Sequence, residues 1–283
     1  MKRNFFKGFL ALATGLAFVA CGNDNDGGKK NIDNNNNNGN INASTKFVHK
    51  TLIENMTGAW CGACPSMASA IATAQGHSTL GSKVISISVH RGDAMQTNQS
   101  NNFIGNYVKF DTRIEPGSNQ IYFPFSMLNR TVGLPGNAAA VYNSVNQEGS
   151  PIGIKIESNL SNTGGTVNAT FKFNSGYQDL SYHIVILEQD VKINQAQTGS
   201  SQGANYIHKN VFRYGLDGYN GTSLGTVTAG QEVVKNNQSV SYTLIGNDVS
   251  KAEVVVFVTD KDGKVLNVQK AKANQTQDYE VVK

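Results

Sequence analysis

The run IENMTGAWCGACPSMASAIATAQ, residues 53–75, constrains the fold more than any other stretch of the chain. It begins inside FVHKTLIEN (47–55), which alternates well enough for a strand. It ends in an Ala-rich segment with Met67, Ala70, Ile71 and Ala74 at helical spacing. Pro65, just after the second cysteine, suits the first turn of that helix, where a missing N–H costs nothing. A strand and a helix joined through Cys-x-x-Cys place Cys61 at the helix N-terminus. Unpaired backbone N–H groups and the positive end of the dipole favour a thiolate there, lowering its pKa from about 8.5. Cys64, one turn further on, points back and can resolve a mixed disulfide within the same molecule. Gly62 and Ala63 are small and leave the Cys61 sulfur open to a partner, while Trp60 can wall one side.

The chain holds only three cysteines, and its N-terminus accounts for the third. Residues 1–20 carry Lys2, Arg3 and Lys7, then an apolar run from Phe9 to Ala20. That run is too short for a finished transmembrane helix and has the proportions of a secretory signal. Its end, FVAC, resembles a bacterial lipobox, with Phe18 where Leu is usual. Cys21 would then be diacylated and membrane-attached, each buried methylene contributing about 0.8 kcal/mol. The protein is expected outside the cytoplasm, where disulfides persist. With Cys21 lipidated, no framework of structural bridges is possible: Cys61 and Cys64 can pair only with each other or with a partner. Residues 21–45 follow, rich in Asn, Asp and Gly with five consecutive asparagines at 34–38, and read as a flexible tether. Removing the signal's three cations takes the formal charge from +4 to +1. No basic cluster with interleaved aromatics occurs elsewhere, so nucleic acid is not an expected partner.

Beyond the helix, KVISISVH (83–90) predicts a buried parallel strand, and Phe103, Ile104, Tyr107 and Val108 mark one face of a helix over roughly 96–110. YFPFSMLN (122–129) puts Pro124 at the mouth of an apolar strand, and NAAAVYNSVNQ (137–147) predicts a further helix. The βαβαβα order implies a parallel sheet over 46–150. After Pro151 the pattern changes to short strand-like segments: IGIKIES, TVNATFKF, LSYHIVILE, NYIHKNVFRY, SVSYTLI, AEVVVFVTD and KVLNVQKA. Asp262-Gly263 between two apolar runs is a hairpin signal. This half, 151–283, reads as an antiparallel sandwich of immunoglobulin-like size.

WCGACP, the strand–helix order and Pro124 together resemble the thioredoxin fold over about 46–150. The longer stretch IENMTGAWCGACP, the lipobox and the β-rich tail with YIHKNVFR resemble the outer membrane protein 28-related lipoproteins. The expected fold class is therefore an α/β thioredoxin-like domain followed by an all-β immunoglobulin-like sandwich. The resemblance implies Cys61 as the attacking thiol, Cys64 as the resolving thiol, and Pro124 as a cis-proline beside the two sulfurs. It places the protein in the outer membrane, at its periplasmic face or the cell surface. The buried aspartate that thioredoxins carry six residues before the first cysteine is Asn55 here, with Glu54 beside it, so Glu54 or water must stand in as proton relay.

Rival chemistries are poorly served. Zinc needs four ligands and one Cys-x-x-Cys supplies two, while His49, His77, His90, His183 and His208 lack ligand spacing, so neither a metal nor a cofactor is expected. His90 ends a strand at the same sheet edge as the cysteines, where a histidine can tune a thiolate or simply be structural. Arg91-Gly92-Asp93 is a tripeptide that integrins read on exposed loops, although Gly-Asp after a strand is also ordinary turn chemistry. The expectation is a lipid-anchored thiol–disulfide oxidoreductase acting on thiols or disulfides of envelope proteins. The alternative is a non-catalytic surface lipoprotein, a binding module or adhesin, with its cysteine pair a closed staple.

Overall fold

The computed structural model describes residues 46–113, 121–134, 141, 142, 145, 149–197, 200–203 and 205–283. The signal, the tether, Cys21 and most of the helix expected at 137–147 lie outside them. In chain order the first half supplies β1 (Thr51–Thr57), α1 (Cys64–Gln75), β2 (Val84–His90), α2 (Ser100–Gly105), β3 (Phe125–Leu128) and β4 (Val132–Leu134). The second half supplies β5 (Ile152–Leu160), β6 (Gly164–Phe173), β7 (Tyr177–Glu188), β8 (Val191–Lys192), β9 (Gln195–Gln197) and β10 (Ser200–Gly203). It continues through β11 (Ile207–His208), β12 (Val211–Gly215), β13 (Thr222–Val227), β14 (Glu232–Ser241), β15 (Ala252–Thr259) and β16 (Val265–Lys272).

One sheet takes strands from both halves in the order β16-β15-β7-β12-β2-β1-β3-β4, with β13 also on β7. The link is β12, which meets β2 in parallel at Val211 and Ser88 and runs antiparallel along β7. A second sheet, β14-β6-β5, is separate. One face of the large sheet buries Leu52, Met56, Ile85 and Ile87 with Val185, Leu187, Val255 and Phe257, capped by Phe103, Ile104 and Tyr107 of α2 and the turn after it. The opposite face has two covers. Over β1, β2 and β3, α1 packs Met67, Ile71 and Ala74 on Ile53, Val84 and Leu128. Over β7 and β15, Ile154, Ile156, Phe171 and Phe173 of the smaller sheet pack on Tyr182, Ile184, Val254 and Val256.

This arrangement corrects the expected fold class. The described residues are mostly strand, with two α-helices, and form a large mixed sheet in place of an α/β thioredoxin-like domain followed by an immunoglobulin-like sandwich. The physical reason lies in β7 and β15. IVIL (184–187) and VVVFV (254–258) are apolar at successive positions because they are buried on both faces, as strands in the middle of a sheet must be. Sandwich strands keep one polar, solvated face. The parallel sheet expected over 46–150 is corrected in the same way. β1 and β2 are parallel, but β3 runs antiparallel to β1 and turns directly into β4. The helix expected over 96–110 shortens to α2 with a separate turn at Val108–Phe110.

Candidate functional site

β1 alternates its side chains across the sheet, and this decides which of its polar residues meets the cysteines. Asn55 and Thr57 face α1, where they line a cavity of about 330 Å³ with Cys64, Pro65, Ser86, Ser88 and His90. Gln195, Tyr206 and His208, from the excursion between β7 and β12, close its far side. Cys61 and Cys64 are joined as a disulfide, their Cα atoms 5.4 Å apart. Cys64 opens α1, and Cys61 sits in the preceding turn with its N–H donating to the Gly58 carbonyl at 2.9 Å. The pair is less open than the small Gly62 and Ala63 suggest: Cys61 is 5% exposed and Cys64 2%.

Gln195 is bound to the cysteine loop. Its amide Nε2 donates to the Cys61 carbonyl at 2.9 Å and the Gly58 carbonyl at 3.3 Å, while the Ala196 N–H donates to the Ala59 carbonyl at 2.7 Å. Gln195 lies in INQAQTGSSQG, a stretch with no pattern to single it out. Sequence reasoning missed it for that reason.

Trp60, two residues from Gly58 and next to Cys61 in the chain, is 53% exposed. Its indole N–H donates to the Arg91 carbonyl at 2.7 Å, and its ring meets Phe123 at 5.3 Å. A Cβ at Gly58 would come within 2.6 Å of the indole nitrogen, and one at Gly92, whose φ is +73°, within 2.9 Å. The glycine of Arg91-Gly92-Asp93 therefore makes room for Trp60. The Asp93 carboxylate is turned inward and 7% exposed, accepting from the N–H of Ala59 at 2.6 Å and of Met95 at 2.8 Å. It also pairs with His90 Nδ1 at 2.8 Å. Burial pushes the Asp93 carboxyl up, but these hydrogen bonds and the His90 charge outweigh it and hold the group below its ordinary range.

His90 is buried, lies edge-on to His208 at 5.2 Å between ring centres, and lines the same cavity as Cys64. His208 bonds through Nε2 to the Ile193 carbonyl at 3.1 Å, and burial with the neighbouring His90 lowers its pKa to about 4. Pro124 opens β3 after a cis peptide bond from Phe123, and the Phe123–Trp60 contact brings that turn against the cysteine loop. Pro124 itself lines a separate cavity of about 540 Å³ with Ser66, Met67 and Arg113.

Glu54 is not at the site. It faces the α2 side, where Arg130 donates to both carboxylate oxygens at 3.0 Å and Tyr107 donates its hydroxyl to one. The Arg130 guanidinium lies over the Tyr219 ring at 4.1 Å. Burial would lower the Arg130 pKa, yet the Glu54 charge raises it overall; burial pushes the Tyr107 hydroxyl well up. This is a fully buried ion pair with its own partners, one residue out of phase with the cavity.

A family model described as outer membrane protein Omp28 matches residues 119–277, more than half of the chain. The chain belongs to the Omp28 family. It is accordingly a protein of the cell envelope. The match begins well after Cys61 and Cys64, so the Omp28 assignment rests on β3 to β16 and carries no statement about the cysteine pair. No curated protein sequence matches the chain. Among solved structures, HBP35 of Porphyromonas gingivalis aligns at a TM-score of 0.65 and 17% identity, over 81% of this chain and 76% of that one. A protein of Agrobacterium tumefaciens aligns at 0.52 and 13%, over 81% of this chain and 97% of that one. At such identities the likeness concerns the fold of this Omp28 member alone.

Proposed function

We propose that this envelope protein is a thiol–disulfide oxidoreductase acting on protein thiols or disulfides through Cys61 and Cys64. The observation that carries the reading is a disulfide across three positions of chain at the head of a helix, beside a cavity with a buried His–Asp pair. A bridge closing so short a loop contributes only about 2 kcal/mol of chain entropy, less than a staple across a long one. In the reductive direction, the Cys61 thiolate attacks a client disulfide, forming a mixed disulfide and releasing one client thiolate. Cys64 then attacks the Cys61 sulfur, closing the observed bridge and releasing the second client thiolate. The client gains two electrons and the pair loses two; the oxidative direction reverses each step. Trp60 and Phe123 offer a partly exposed aromatic surface next to the pair on which a client side chain can rest.

The adhesin reading loses its one specific support, because the Asp93 carboxylate is inside the loop and engaged by three donors. Anchoring through a lipid on Cys21 is part of the proposal, on the strength of the N-terminal sequence. Insulin reduction by the parent, abolished in both Cys61→Ser and Cys64→Ser, is the expected result. Inertness of the parent across redox buffers from reducing to oxidising overturns the reading.

A further inference from the structure

Resolution of a mixed disulfide needs Cys64 as a thiolate, and something must take its proton. Asn55, which shares the cavity, is an amide whose Oδ1 is occupied by the Ser126 hydroxyl at 2.9 Å. Glu54 is on the other side of the sheet, locked to Arg130. The titratable groups lining the cavity with Cys64 are His90 from β2, His208 and Lys209 from β11 and the turn after it, and Tyr206 before it. Burial raises the Tyr206 hydroxyl, so it stays protonated and offers no phenolate to take the proton. Lys209 is paired with Asp190 outside. His208, at about 4, is too weak a base for a thiol, and its Nε2 hydrogen is committed to the Ile193 carbonyl.

His90 differs in having an orienting partner. The Asp93 carboxylate fixes a hydrogen on Nδ1 and leaves Nε2 as the proton-accepting nitrogen. Asp93 Oδ2 also accepts from the Ala59 N–H, so one carboxylate ties the imidazole to the loop that carries Cys61. Carboxylate, imidazole and thiol are the elements of an activated nucleophile.

Resting on the redox reading above, we propose that His90 is the general base for Cys64, with Asp93 as its positioning residue. The Cys64 S–H gives its proton to His90 Nε2 across the cavity. The Cys64 sulfur bonds to the Cys61 sulfur, and the bond from Cys61 to the client sulfur breaks, its electron pair leaving with the client thiolate. The imidazolium stays paired with Asp93 and returns its proton to solvent or to that thiolate.

The test uses the reduced full chain with Cys21→Ser and Ellman's reagent. The first thionitrobenzoate reports attack by Cys61, the second reports resolution by Cys64. In the parent, the second phase at pH 7 is expected to run close to its high-pH plateau. In His90→Gln the second phase slows about 100-fold at pH 7, with its rise displaced to the thiol range near 8.5, and the first phase changes far less. Asp93→Asn gives the same displacement with about a tenfold loss. An unchanged second phase and profile in a folded His90→Gln overturns the proposal. If neither variant folds, the parent decides: a second phase at pH 7 within a few-fold of its high-pH plateau supports a base for Cys64, and one at about 3% of the plateau, the thiolate fraction of a cysteine without a base, refutes it. Failure of the redox reading looks different, because the parent's first phase would then be no faster than a free cysteine.

Discussion

Removing the Gln195 amide should open the disulfide to reductants. Among the described residues, Gln195 makes two of the three hydrogen bonds that fasten the β7–β12 excursion to the cysteine loop, to the carbonyls of Cys61 and Gly58. The third is the backbone bond from Ala196 to Ala59. Each side-chain bond contributes about 0.5–1.5 kcal/mol net, since the carbonyls are hydrated once the excursion lifts. Losing both lowers the cost of lifting by about 1–3 kcal/mol, and the open population rises about 5- to 150-fold. Where a small thiol reaches the buried sulfurs only in the open form, the rate of reduction rises by the same factor. Gln195→Glu is the sharper variant, because it keeps the size and replaces the donor by an acceptor facing two carbonyls. Gln195→Ala is its companion. The assay is pseudo-first-order reduction by dithiothreitol, followed by the emission of Trp60, the single tryptophan, which neighbours the pair. Urea unfolding of each variant separates local opening from global loss of stability. A rate within twofold of the parent, in variants that remain folded, would show that reductant reaches the sulfurs without displacing this segment, and the reasoning fails.

Three further outcomes follow from the same geometry. Arg130→Met leaves the buried Glu54 carboxylate without its countercharge and should cost about 3–5 kcal/mol in urea unfolding, while Glu54→Leu with Arg130→Met recovers most of it. His208 has a folded pKa of about 4 and His183 is also lowered by burial, so the unfolded chain binds more protons between there and about 6.5. Stability from these groups is full above pH 6.5 and declines as pH falls towards 4; urea midpoints should show this, and His208→Gln should flatten the slope. Gly92→Ala forces a Cβ at positive φ against the Trp60 nitrogen and should lose about 1–3 kcal/mol, with the Trp60 emission shifted.

The cysteine motif, its helix and the strands that flank it are legible because each has a local cause. Alternation marks β1, a run nearly all apolar or small marks β2, Pro65 marks the first turn of α1, and Asp262-Gly263 marks the β15–β16 hairpin, where Gly263 takes φ +83°. The joining of the two halves is not local. It depends on β12 entering between β2 and β7, through Val211 and Ser88, which lie far apart in sequence. A trace of it was present in the non-alternating runs of β7 and β15, which ask for cover on both faces. The site divides the same way. Cys61, Cys64 and Trp60 stand in a recognisable motif, whereas Gln195 and Asp93 matter only through where the chain returns. Asp93 was masked by a tripeptide that invites a different reading.

The placement of Glu54 and Asn55 on opposite faces of β1 explains how one strand serves two incompatible demands. On the α2 side, an ion pair between Glu54 and Arg130 survives burial because a bidentate contact, the Tyr107 hydroxyl, the Tyr219 carbonyl and an aromatic stack satisfy it; that pair is fixed and does no chemistry. On the α1 side, β1 and β2 present Asn55, Thr57, Ser86, Ser88 and His90 where a helix-covered sheet would ordinarily be apolar, and these side chains line a cavity together with Cys64. Exchanging the two faces would take a shift of one residue in register. The seven consecutive pairs between β1 and β2 oppose it, since such a slip drives Leu52 and Met56 into the cavity and the Glu54 carboxylate away from its only guanidinium among the described residues. The register of β1 therefore keeps Asn55 and Thr57 on the cavity side and Glu54 with Arg130 on the other.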